Sequence, residues 1–278
     1  MAVRIVTDSA ADLTDEHAAK LNVRMVPLTI RFGAEEFVDR KDLTPAEFYA
    51  RCAASPVLPE TAAPSPGAFE VAFRSAFEDD GADAVVCVNI SSGLSATMAS
   101  AQNAARALEG RDIRIIDSRS ITWGLGSQVV AAAEAAADGA SADDIVALVE
   151  DMIGRTYVYG ALDTLENLKK GGRVGGAQAL IGSLLSIKPL ISVQGEVEEA
   201  GRARTRSKAL KVLVDKVRDA GEVENLGAMH GSAPDIDEFV DMLSEVVPRD
   251  RIHVGDIGAT IGVHGGPRVM GVTFQVAR

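Results

Sequence analysis

Ala84-Val85-Val86-Cys87-Val88-Asn89-Ile90 runs directly into Ser91-Ser92-Gly93-Leu94-Ser95-Ala96-Thr97. The first seven residues are apolar except Asn89 and rich in β-branched types, the pattern of a strand buried on both faces of a parallel sheet. The following block is small and polar. After it, Met98-Ala99-Ser100-Ala101-Gln102-Asn103-Ala104-Ala105-Arg106-Ala107-Leu108 reads as an alanine-rich helix. Strand, polar turn and helix in that order aim free backbone N–H groups at an anion. One of Ser91, Ser92 and Ser95 is expected to cap the helix. Three hydroxyls beside a glycine, at the strand end where ligands of open α/β sheets bind, predict a site.

Upstream, Val3-Arg4-Ile5-Val6 predicts a first strand, followed by Thr7-Asp8-Ser9 and a helix over 15–21. Consecutive parallel strands open on the same sheet edge, so this loop is expected beside the serine block. Residues 23–30 read as one strand, with a turn at Gly33-Ala34 and a return through Glu36-Phe37-Val38-Asp39. Thr44-Pro45-Ala46-Glu47 carries an N-cap, an N1 proline and a first-turn acid, which start a helix. Residues 55–66 contain Pro56, Pro59, Pro64 and Pro66 and predict an extended loop, with Thr61 as its polar centre. Phe69, Phe73 and Phe77 lie at helical spacing over 67–78, a core face and also a candidate ligand wall.

Downstream, Asp112-Ile113-Arg114-Ile115-Ile116-Asp117-Ser118 is another strand. Trp123, Gly124 and Gly126 lead into a helix over 127–137, and 142–155 is amphipathic. Strands alternating with helices predict an α/β domain over 1–155 with a doubly wound parallel sheet. The character changes near Thr156. Short strands over 157–161, 189–193, 196–199, 203–206 and 226–230, helices over 207–220 and 234–247, and a last strand over 269–276 predict a second, α+β domain over 156–278 with an antiparallel sheet. Residues 177–187 are apolar nearly all round and are expected to be buried or to line a cavity. Gly262-Val263-His264-Gly265-Gly266-Pro267 is expected as the turn before the last strand.

Composition narrows the function. The 278 residues carry a formal net charge of −12, which disfavours long-range attraction to nucleic acid or an anionic membrane. Transient membrane contact at most is expected. The two cysteines, Cys52 and Cys87, have no metal-type spacing, and the four histidines form no His/Cys cluster, so neither a metal nor a cofactor is expected. With no leader pattern at Met1 and no apolar run of bilayer length, a cytoplasmic protein is expected. Basic residues concentrate between 169 and 218, Lys211 and Lys216 among them, which suggests an anion-binding or docking face.

Seven motifs run in order along the whole chain: Thr7-Asp8-Ser9, Thr61-Ala62-Ala63-Pro64-Ser65, the Ser91–Thr97 block, Ile115-Ile116-Asp117-Ser118, Lys170-Gly171-Gly172-Arg173, Ile187-Lys188-Pro189-Leu190 and His264-Gly265-Gly266-Pro267. Together they resemble the DegV family, the fatty-acid-binding subunits of bacterial fatty acid kinase. The resemblance implies a non-enzymatic carrier with a long-chain fatty acid in a tunnel between two domains. It also implies a separate kinase subunit that phosphorylates the bound carboxylate. It carries ligand-binding roles onto Thr61, Ser95 and His264, with Arg204 as the matching arginine and Ser92 beside them. This chain departs from the family pattern at Ala62-Ala63, Ala96, Gly265 and Arg268. The alternative is an esterase-like serine hydrolase using Ser95 and His264. Gly93-Leu94-Ser95-Ala96-Thr97 approaches a nucleophile elbow, but Thr97 stands where the tight turn needs glycine.

Overall fold

The computed structural model describes residues 2–180 and 187–278. Its first half runs β1 (Val3–Asp8), α1 (Asp15–Lys20), β2 (Arg24–Val26), β3 (Thr29–Phe32), β4 (Glu35–Val38), α2 (Pro45–Ala54), β5 (Glu60–Ala62), α3 (Pro66–Glu78), β6 (Ala84–Asn89), α4 (Thr97–Ala107), β7 (Asp112–Asp117), α5 (Thr122–Ala137) and α6 (Ala142–Arg155). The second half runs β8 (Thr156–Ala161), α7 (Glu166–Lys170), β9 (Lys188–Val193), β10 (Val197–Ala203), α8 (Arg206–Asp219), β11 (Val223–His230), α9 (Ile236–Ser244), β12 (His253–Asp256), α10 (Ala259–Gly265) and β13 (Met270–Val276).

The β-branched runs of the first half form a parallel sheet in the order β2-β1-β6-β7. Every residue of β6 is buried, as a strand covered on both faces requires. Phe69, Phe73 and Phe77 of α3 pack with Ala101 and Ala104 of α4 on one face. Val129 and Ala132 of α5 pack with Ile145 and Val149 of α6 on the other. The doubly wound arrangement follows from these two apolar layers. Capping boxes at Thr44/Glu47 and Ser141/Asp144 fix where α2 and α6 begin.

The single strand expected over 23–30 is two strands in two sheets. Pro27 has no N–H to donate to a ladder, and the next amide, Leu28 N–H, donates to the Ser9 hydroxyl at 3.1 Å. The chain leaves the parallel sheet there and forms a small antiparallel sheet, β4-β3-β5. β5 is a short strand inside the proline-rich loop. It pairs Thr61 opposite Ile30 and so gives that loop a fixed register.

The second half forms a mixed sheet, β10-β9-β8-β13-β11-β12, antiparallel except for the β11–β12 pair. Leu210, Leu213, Phe239 and Leu243 cover one face from α8 and α9. The other face turns toward the first half in transverse rows. Ile191, Gly160, Gly271 and Met229 form one row; Val193, Val158, Thr273 and Gly227 form the next. Two glycines in the first row leave a trough in the sheet.

Glycines misled the sequence reading at two helices. Trp123, Gly124 and Gly126 lie inside α5, where a Cβ on Gly126 would stand 2.5 Å from the Ala11 carbonyl oxygen. The expected turn at 262–267 begins as the end of α10, where a Cβ on Gly262 would stand 2.6 Å from the Tyr49 hydroxyl. Both are close-packing glycines rather than turn formers. In the apolar run at 177–187, Gly175–Leu180 is a 3₁₀ segment and 181–186 lie outside the described residues. Among the described residues no helix is long and apolar enough to cross a membrane, and no cluster of three metal-ligating side chains occurs.

Candidate functional site

A cavity, about 850 Å³ when the open solvent at its mouth is included, lies against the trough face of the second sheet. Its walls are mainly aliphatic, from Leu28, Ile90, Leu162, Ile191, Val193 and Ile261 among others. The phenylalanines of α3 are not among the lining residues; they belong to the core under α3 and α4.

One end of the cavity is polar. Four separate segments bring Thr61, Ser95, Arg173 and His264 to its wall. The β3–β5 register sets Thr61. Ser95 ends the turn after β6, Arg173 follows α7, and His264 lies in the last turn of α10. Thr61 Oγ1 and His264 Nε2 are 3.1 Å apart. Ser95 Oγ lies 2.8 Å from Thr97 Oγ1 and accepts from Thr97 N–H at 3.3 Å, at the start of α4. Arg173 donates from Nε to the Leu94 carbonyl at 3.0 Å, so the guanidinium is held against the serine turn.

Burial, and secondarily the nearby Arg173 charge, push His264 down to about 4. The ring is therefore neutral near pH 7. Among the described residues its Nδ1 has no hydrogen-bond partner. Gly171 explains how the ring fits: a Cβ there would stand 2.3 Å from Nδ1. The Lys170-Gly171-Gly172-Arg173 turn thus supplies both a smooth surface for the imidazole and the cation beside it.

The hydroxyls of the serine block do different work. Ser91 donates to the Gly195 carbonyl and ties the turn to the β9–β10 hairpin. Gly93 is required at the same junction, because a Cβ would stand 2.6 Å from the Gly195 oxygen. Ser92 is exposed, donates from its hydroxyl and its N–H to Asp117, and does not line the cavity. Only Ser95 of the three does. Arg204 is exposed between β10 and α8, away from the lining; the arginine at the polar end is Arg173. The sequence displayed this residue within a quoted motif, but nothing in the linear order ranks it above Arg204.

Behind the polar end lies a second polar cluster. Asp39 Oδ2 accepts from Ser9 Oγ at 2.8 Å and from Thr260 Oγ1 at 2.6 Å. Asp12 Oδ1 accepts from Gly258 N–H at 3.0 Å, the residue that caps α10. Asp8 accepts from Ile90 N–H at 2.8 Å and Asn89 Nδ2 at 3.1 Å, which sets the β1 loop beside the β6 loop as expected. Burial dominates their titration. It pushes Asp8 up to about 6 and Asp12 up to about 7, and it raises Asp39. The cluster clasps the start of α10, whose other end carries His264.

Comparison with known proteins agrees with this fold. The model described as "Uncharacterised protein, DegV family" matches residues 2–277. A DegV domain-containing protein of Deinococcus radiodurans is 38% identical over 99% of both chains. Among solved structures, a fatty-acid-binding DegV family protein from Thermus thermophilus is 33% identical, covers 100% of each chain and superposes with a TM-score of 0.91. A stearic acid-binding protein from Eubacterium ventriosum is 26% identical over 98% of each chain, with a TM-score of 0.87. With its parallel and mixed sheets, and a family match from one end to the other, this chain belongs to the DegV family.

Proposed function

We propose that the chain binds one long-chain fatty acid in this cavity, between a 1–155 domain and a 156–278 domain. We further propose that it serves as a cytoplasmic carrier, presenting the carboxylate to a separate kinase subunit for acyl-phosphate formation. The observation that carries the binding reading is the composition of the cavity: a mainly aliphatic lining, with Thr61, Ser95, His264 and Arg173 gathered at one end. The Thermus and Eubacterium relatives, described as fatty-acid- and stearic acid-binding, support the same ligand class.

The energetics suit a carrier. A tail of ~15 methylenes offers up to roughly 12 kcal/mol at about 0.8 kcal/mol per CH₂. The carboxylate contributes less and sets the register. It accepts from the Thr61 and Ser95 hydroxyls, Thr61 in turn accepts from the neutral His264 through Nε2–H, and the Arg173 charge offsets the anion. The hydroxyl of Ser95 pairs with Thr97 and the imidazole with Thr61. That pairing favours binding over the hydrolase alternative, in which Ser95 would give its proton to His264.

Titration of delipidated protein with stearic acid tests the reading. Saturable one-to-one binding is expected, with Ser95→Ala at least about tenfold weaker and an unchanged melting temperature. Unchanged affinity in that variant contradicts the headgroup role. For the kinase step, charge reversal at Lys211 and Lys216 of α8 is expected to slow phosphorylation of the bound lipid while leaving its binding intact. An unaltered rate contradicts docking through that face.

A further inference from the structure

The inner part of the cavity is not uniformly apolar. Thr273 of β13 and Thr122 at the start of α5 both line it, and their side chains are 1% and 3% exposed. Among the described residues neither hydroxyl makes a hydrogen bond of normal geometry. Three other hydroxyls of the lining differ in this respect. Thr61 pairs with His264, Ser95 with Thr97 and Thr260 with Asp39.

A buried hydroxyl without a partner is costly, and valine has nearly the same shape. Valine occupies the position beside Thr273 in its row, Val158, and the one beyond it, Val193. If the wall only had to meet a hydrocarbon, valine would serve there too. Thr122 adds a backbone cost. Its φ of +47° is a region β-branched residues avoid, and such conformations gather at ligand sites. Its hydroxyl stands within reach of the buried Asp12 carboxyl, whose charged form it favours.

We infer that Thr273 and Thr122 form an inner polar subsite that receives an oxygen carried on the acyl chain, so that the preferred ligand is a hydroxy or oxo fatty acid rather than a plain one. The inference rests on the fatty-acid reading above and specifies the ligand within it. The register places the oxygen. Gly265, next to His264, lies against Val269, since a Cβ on it would be 3.2 Å from Val269 Cγ1. Val269, Gly271 and Thr273 line the cavity at strand spacing. Four residues of strand set Thr273 about 13 Å beyond the polar end. The oxygen therefore sits along the middle of the chain and not next to the carboxylate.

Competition binding decides it. Delipidated protein is loaded with a fluorescent fatty acid, which is displaced by stearic acid or by monohydroxystearic acids with the hydroxyl moved along the chain. A mid-chain isomer is expected to bind about tenfold tighter than stearic acid, which is about 1.4 kcal/mol. The preference is expected to disappear in Thr273→Val and to survive in Thr273→Ser, which keeps the hydroxyl. Stearic acid affinity is expected to stay level or rise in Thr273→Val. Binding of stearic acid with no preference for any isomer in the wild type overturns the subsite and leaves the fatty-acid reading standing. So does a preference that Thr273→Val retains. Failure of both acids to bind overturns both readings together.

Discussion

Helix α10 joins two polar clusters of opposite character. At its C-terminal end, His264 is paired with Thr61 and stands with Ser95 and Arg173 at a cavity wall. At its N-terminal end, Gly258 and Thr260 are held by Asp12 and Asp39. The first cluster is neutral or cationic and keeps donor capacity for an anion. The second holds carboxylates that burial drives toward the protonated form, and its hydroxyls are already used. Hydroxyl groups and helix ends occur in both, so residue type alone does not separate a binding site from a clasp. What separates them is whether the donors are spent, and what charge a ligand would meet.

The contrast can be broken most forcefully from the clasp side. Asp39→Ala strands the Ser9 and Thr260 hydroxyls and frees the start of α10. A stability loss of about 3 kcal/mol is expected from denaturant unfolding. A loss below about 1 kcal/mol would show that the clasp does not hold the helix.

At the other end the expected change is in affinity. Arg173→Ala should weaken fatty-acid binding about tenfold, whereas Arg204→Ala should leave it unchanged, because only Arg173 lines the polar end. Equal effects from the two variants would contradict the placement of the cation. Stability should move little in either, since among the described residues the hydrogen bonds of Arg173 go to the Leu94 and Gly171 carbonyls.

A smaller effect distinguishes the clusters by pH. Asp12 rises from 3.8 to about 7 because burial disfavours its charge. Below pH about 4 the carboxyl is protonated folded or unfolded. Between there and pH 7 the fold holds a proton that the unfolded chain has lost, so this group's contribution to stability falls as pH rises and levels off above 7. Asp12→Asn removes that titration while its Oδ1 still accepts from Gly258. The variant should therefore gain stability relative to the wild type between pH 5 and 7.5, as read from melting temperatures across that range. Parallel curves for the two proteins would mean that Asp12 ionises normally in the fold.

The sequence made the parallel sheet legible because β6 is a continuous apolar run and the helices on it carry caps and spaced apolar faces. Ser95 was legible as a candidate from the polar turn after β6, whereas Thr61 and His264 were legible as candidates only through motif resemblance, since the three come from segments whose meeting depends on tertiary packing. α10 was hidden because Gly262, Gly265 and Gly266 read as a turn. The helix is stabilised from outside, by Asp12 at its start and by Phe48 and Tyr49 packed where Gly262 has no side chain. β5 was hidden because three paired residues among prolines leave no periodicity, and only its ladder with β3 defines it. The exchange of Arg204 for Arg173 has the same origin. A turn of glycines brings Arg173 to the cavity, and a linear sequence does not show which arginine points inward.

The central claim is that this cavity is built for a fatty acid. Mass spectrometry of an organic extract of the protein, purified from a bacterial host without added lipid, tests it most directly. The account predicts a stoichiometric long-chain fatty acid from the wild type and a marked loss of it from Ser95→Ala. A folded wild-type protein that yields no fatty acid, and takes up none on incubation with stearic acid, would contradict it.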